Sequence, residues 1–251
     1  MIADILENNA LVTAFLCVGI LMWFSYRLSH WLTRGRVHGS AIAIGLGLVL
    51  AYFGGLYTGG EKGVADIPLF SGFMLMGGAM LRDLAIVATA YGADVSALRK
   101  AGFVGILSIL IGVILSFSVG AVVAYAGGYH DAISVATIGA GAATYIVGPV
   151  TGTALGASSE VIALGIAAGL VKSIIVMVGT PIVASRIGLN TPAAAMVYGG
   201  LMGTTSGVAG GLAATDEKLV PYGAMTATFY TGVGCLLAPS ILYYVTSLIL
   251  Q

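Results

Sequence analysis

Long apolar runs separated by short polar stretches make up most of the chain. Reading the charged residues as punctuation gives about eight apolar segments, several near the roughly 20 residues that a helix needs to cross hydrocarbon. The first runs from about Ala10 to Trp31, capped by Asn8 or Asn9, and the second from Ser40 to Tyr57. The third is Ile67 to Leu81, the fourth Gly102 to Ala126, the sixth Val161 to Ser185 and the eighth Pro221 to Leu250. The fifth, Ala132 to about Ala157, and the seventh, Thr191 to Ala214, are weaker and rich in small residues. The pattern predicts an all-α integral membrane protein with about eight transmembrane segments, two of them glycine-rich and discontinuous.

Between Arg82 and Lys100 the period changes. Leu84, Val87, Tyr91, Val95 and Leu98 recur at steps of three or four, with Asp83, Asp94 and Arg99 off that stripe. This fits an amphipathic helix in the membrane interface, or equally a connecting helix packed on the bundle. The expected division is an N-terminal helical region, 1–126, with four spans and the interfacial helix 82–100. A substrate-binding and transport region, 127–251, follows.

Composition narrows the class. Of the residues 59% are hydrophobic and only 8% charged, where a soluble domain carries about a quarter. Ten cations balance ten anions, which leaves no basic surface for nucleic acid. Cys17 and Cys235 sit in apolar runs and read as small apolar residues rather than a disulfide or metal pair. Arg27, Arg34 and Arg36, with His30 and His38, place the first connection in the cytoplasm, and Arg82, Arg99 and Lys100 agree after two more crossings. The connection with Glu61, Lys62 and Asp66 is then outside.

The 38 glycines are the other anomaly, about double ordinary usage. Many lie in two similar segments, Gly139 to Thr153 and Gly199 to Gly211. Placing Thr144 on Thr205 sets Val147 on Val208 and Gly139 on Gly200. A slip of about three residues then brings Thr180 and Pro181 onto Ala238 and Pro239. The reading is a duplication with a period near 60 residues, in units 132–186 and 193–247. Glycine destabilises a helix interior by about 1 kcal/mol against alanine, and proline removes a donor. Irregular backbone at membrane depth must be buried in protein or face water. Two interrupted segments at matching places therefore point to a transporter binding site, with helix N-termini for an anion and unwound carbonyls for a cation. Close helix packing accounts for small residues as well. On the first reading the substrate-binding candidates are Thr144, Tyr145, Gly148, Thr151, Thr204, Thr205, Ser206 and Gly207. The ion-binding candidates are Thr153, Gly210 and Asp216.

Lys172 is the charge that does not fall in a connection. It lies about 18 Å along a helix from Glu160 and about 21 Å from Arg186, near mid-membrane. A central lysine costs about 2.5–3.5 kcal/mol on insertion scales, so it joins the substrate-binding candidates. It neutralises an anionic substrate, pairs with a carboxylate of another subunit, or is structurally paired. His130, Asp131, Glu160 and Arg186 read as boundary residues. The histidines lack metal-ligand spacing, and no nucleophile elbow or phosphate loop is present. An enzyme is not expected, and neither is a cofactor beyond a cation such as sodium at the unwound carbonyls.

At this point the chain resembles a known family, along essentially its whole length. The stretches Asn8 to Phe15, Tyr26 to Arg36 and Leu81 to Asp94, with the two glycine-rich blocks, are similar to the M subunit of the bacterial malonate:sodium symporter. That is the larger of two membrane subunits usually called MadL and MadM. The resemblance implies malonate uptake driven by a sodium gradient, the bacterial cytoplasmic membrane as location, and a MadL-like partner. Membrane lipid surrounds it, and a higher oligomer is compatible. It carries over no functional residue. Proton coupling, an uncoupled organic-anion channel and a non-transporting scaffold are the alternatives.

Overall fold

The computed structural model describes residues 2–34, 39–59, 63–77 and 95–250. The chain divides into two compact units, residues Met1–Ala88 and Thr89–Gln251. Four helical runs among the described residues are long and apolar enough to cross a membrane: Ala10–Thr33, Gly102–Ala126, Ser159–Val183 and Glu217–Ile249.

In the first unit, α1 (Ile2–Asn8) leads into α2 (Ala10–Thr33), and α3 (Gly39–Thr58) follows. The Thr13 hydroxyl donates to Leu6 O at 2.7 Å and ties α1 to α2. Asn9 does not cap α2 with its side chain; its amide donates backwards to Ile5 O instead. The third expected span, Ile67 to Leu81, does not start as one helix. Pro68–Phe70 is a 3-10 turn with proline at its first position, and α4 follows as Gly72–Gly77, where the described residues pause. The rest of that span, and residues 82–94 of the expected interfacial helix, lie outside the described residues. So do Arg36, His38, Glu61 and Lys62.

The second unit opens with α5 (Val95–Ala126), broken at Gly102, whose φ of 65° and ψ of −170° are non-helical. Then come α6 (Ala132–Ala143), α7 (Val147–Leu155) and α8 (Ser159–Val183). Next are α9 (Pro192–Met202), α10 (Thr205–Ala213) and α11 (Val220–Leu237). A π turn at Ala238–Leu242, where Pro239 lacks a donor, joins α11 to α12 (Tyr243–Ile249). Side-chain caps start several helices. Asp131 accepts from Ser134 N at 2.8 Å, Ser158 from Val161 N and Thr191 from Ala194 N. Partial burial pulls the Asp131 carboxyl up, but hydrogen bonds from Ser134 and Ile133 outweigh it and hold the group below its ordinary value.

Both glycine-rich segments are discontinuous, as the sequence predicts, but neither runs straight. A straight continuation from α6 into α7 would put Gly152 about 22 Å from Thr137. Instead, a Cβ on Gly152 would stand 2.8 Å from the Thr137 side chain, and one on Gly148 2.9 Å from Gly141 Cα. The two helices are antiparallel arms of a hairpin with its tip at Thr144, Tyr145 and Ile146. In the second pair, Ala195 and Leu212 would be about 25 Å apart if straight, yet both lie against Gly223. Tyr198 of α9 and Gly211 of α10 likewise both meet Thr180. The second hairpin has its tip at Gly203 and Thr204. The fifth and seventh segments are therefore re-entrant hairpins and not spans, since nine to twelve residues per arm reach only about 14–18 Å.

The hairpins enter from opposite ends. Along α8, Ile162 and Gly165 meet the arms of the first hairpin and Gly169 meets its tip at Tyr145. One turn on, Ser173 meets the tip of the second hairpin, and Met177 and Thr180 meet its arms. The packing also repeats in a definite register. Gly141 lies against the backbone of Gly165, and Gly199 against that of Gly223; a Cβ on Gly165 would be 3.1 Å from Thr137 O, and one on Gly223 3.2 Å from Ala195 O. All these pairs are 58 residues apart. The offset of 61 that places Thr144 on Thr205 is thus three residues out, whereas the 58 that relates Pro181 to Pro239 holds throughout.

Two measurements test this fold. With Cys17 and Cys235 replaced, Ser159→Cys and Glu217→Cys will react with an impermeant maleimide from opposite faces of the membrane. Labelling from one face would restore straight spans. Gly141→Ala and Gly199→Ala will each lower the melting temperature in detergent, by an overpacking cost of about 1–3 kcal/mol; two unchanged transitions would contradict the close backbone contacts.

Candidate functional site

Lys172 and Ser173 stand side by side on α8, at the level where the two tips face each other. Ser173 bonds hydroxyl to hydroxyl with Thr204, the first residue of the second break, and both are buried. Lys172 reaches the first. Its Nζ donates to Ala143 O at 2.7 Å, to Ser116 Oγ of α5 at 2.9 Å and to Tyr230 Oη of α11 at 3.2 Å. Its ammonium also lies 5.0 Å from the Tyr230 ring centroid. Ala143 O belongs to the C-terminus of α6, the negative end of its dipole. Bonds to a charged group contribute about 1.5–3 kcal/mol each, so three of them offset the cost of a central lysine. All three acceptors are neutral.

Tyr230 completes the arrangement. It is fully buried, its hydroxyl donates to Gly112 O at 3.1 Å, and its ring covers Gly203. Gly203 has φ 72°, and a Cβ there would fall on the ring, so the position requires glycine twice over. Sequence reasoning missed Tyr230, Ser116 and Ser173, because hydroxyls inside apolar runs read as core. The 58-residue register is the signal that finds the tyrosine: it sets Tyr230 on Lys172.

The expected substrate residues converge in part. Thr144 ends α6, buried, and Tyr145 is half-buried at the first tip. Thr204 caps α10, accepting from Gly207 N at 3.4 Å, and Thr205 and Ser206 form its first turn. Gly148 is taken up by packing against Gly141 and Gly165, and Gly207 by packing against Ser173 O. Thr151 is buried one turn deeper in α7. The ion-binding candidates do not come together. Thr153 is exposed near the open end of the first hairpin and Gly210 packs on Met177. Asp216 is exposed at the opposite end, where it accepts from Lys218 N at 3.0 Å.

Among the described residues three buried hydroxyls have no hydrogen-bond partner: Thr151 Oγ1, Thr205 Oγ1 and Ser206 Oγ. Also among the described residues, no group of three His, Cys, Asp or Glu side chains is placed to hold a metal ion.

Two broken hairpins thus meet at a charged group within a bundle of apolar helices. The family model described as malonate/sodium symporter MadM subunit matches residues 2–250. Neither the curated proteins nor the solved structures gave a match. The chain is a multi-pass membrane protein that belongs to the MadM family of malonate/sodium symporter subunits.

Proposed function

We propose that this chain carries malonate and sodium ions across the bacterial cytoplasmic membrane by alternating access, together with a MadL-like subunit. The observation that carries the reading is the meeting of two opposed hairpin tips at Lys172 and Ser173, one tip bonded to each. Malonate is a small dianion and needs donors at two points and nothing bulky. Residues 127–251 are the transport region, with α5 packed along both hairpins. Thr144, Tyr145, Lys172, Thr204, Thr205 and Ser206 are the residues for substrate. Sodium lowers the charge that moves, and the carbonyls and hydroxyls of the tips suit a hard cation. Gating of one hairpin at a time opens the site to one side and then the other.

Charge supports an orientation. Among the described residues the open end of the first hairpin carries Asp131 and Glu160 and no lysine or arginine, whereas the opposite end carries Arg99, Lys100, Arg186 and Lys218. That end faces the cytoplasm.

Labelled malonate uptake into proteoliposomes, with sodium and pH varied independently, tests the reading. An inward sodium gradient will drive accumulation, and a proton gradient alone will not. Uptake indifferent to sodium overturns coupling and leaves a facilitator. Lys172→Ala, expressed and folded, will lose about tenfold or more in uptake; unchanged uptake would remove the lysine from the site.

A further inference from the structure

We infer that the two tips are not equivalent, and that the first turn of α10, at Thr205 and Ser206, is where a carboxylate of the substrate binds. This deepens the malonate reading and rests on it.

Both tips end in a helix start, yet they offer different donors. At the first, Val147 N and Gly148 N both donate to Thr144 O, and Pro149 has no N–H. Val150 N donates to Ile146 O, so the first turn of α7 is satisfied within itself. At the second, Gly207 N goes to Thr204 Oγ1 and Val208 N to Thr204 O. The N–H groups of Thr205 and Ser206 are the first two of the helix and have no intrahelical acceptor. The hydroxyls of the same two residues are buried and without a partner. Two backbone and two side-chain donors thus share one turn.

Their chemistry selects an anion. Hydroxyls alone would suit sodium equally, but free N–H groups at the positive end of a helix repel a cation and attract a carboxylate. The turn is also held in place. Thr204 is fully buried and fixed by Ser173, the residue after Lys172, while Gly203 is wedged under the Tyr230 ring. The donors therefore need little reorganisation on binding. At the first tip Lys172 occupies the carbonyl end with an ammonium, and Thr144 O takes the two N–H groups that open α7.

The test is direct binding of labelled malonate to the full chain, co-expressed with its partner subunit, in detergent, with sodium titrated up to saturation. Thr205→Val and Ser206→Ala will each weaken malonate binding about tenfold or more. Thr205→Ser, which keeps the oxygen, will bind more tightly than Thr205→Val, so a packing defect is separated from a lost donor. A double Thr205→Val, Ser206→Ala variant with wild-type affinity overturns the assignment. So does a double variant whose only change is a higher sodium requirement, for the hydroxyls would then serve the cation. Wild-type protein that binds no malonate sinks the transport reading and this inference with it. Wild-type binding with indifferent variants sinks this inference alone.

Discussion

An ammonium group in the middle of a bilayer must keep its three protons hydrogen-bonded, and here the acceptors come from three different helices. Ala143 O, Ser116 Oγ and Tyr230 Oη converge on Lys172 from α6, α5 and α11. The lysine thereby holds the end of the first hairpin arm against the two helices beside it. The same need acts on the broken backbone. A hairpin tip at mid-depth has open carbonyls and N–H groups that lipid cannot satisfy. The structure buries both tips among α5, α8 and α11, and this places them next to each other.

Glycine makes that burial possible. The hairpin arms lie on α8 and α11 with backbone touching backbone, at Gly141 on Gly165 and at Gly199 on Gly223. No side chain fits at those contacts. The glycine excess is therefore mainly a packing device: Gly148, Gly207 and Gly210 pack, while Thr205 and Ser206 remain with unpaired oxygens.

Much of this was legible in the chain. The spans α2 and α8, the apolar helix α3, the two breaks and the isolated lysine follow from apolar run length, small-residue clusters and charge position. The folding back of the broken segments does not. Residues 132–157 are as long as one span and equally as long as two short arms, and period alone does not distinguish them. The contacts of Gly141 with Gly148 and of Thr137 with Gly152 reveal the turn. The repeat register failed for a related reason. In a stretch of glycine, alanine and threonine, offsets of 58 and 61 match about as many letters, whereas the proline pair further on is rarer and gives the right value.

The inverted repeat gives two halves with the same backbone plan, and the side chains then make them different. At equivalent places one half has Lys172 and the other Tyr230, an amine against a phenol. The ammonium occupies the carbonyl end of the first hairpin, and Thr144 O takes the N–H groups of its second arm. The phenol instead covers the glycine of the second tip and leaves the start of α10 with its donors unused. The same backbone plan therefore presents different polar groups at its two tips, an ammonium bonded to a carbonyl at one and two unpaired hydroxyls at the other.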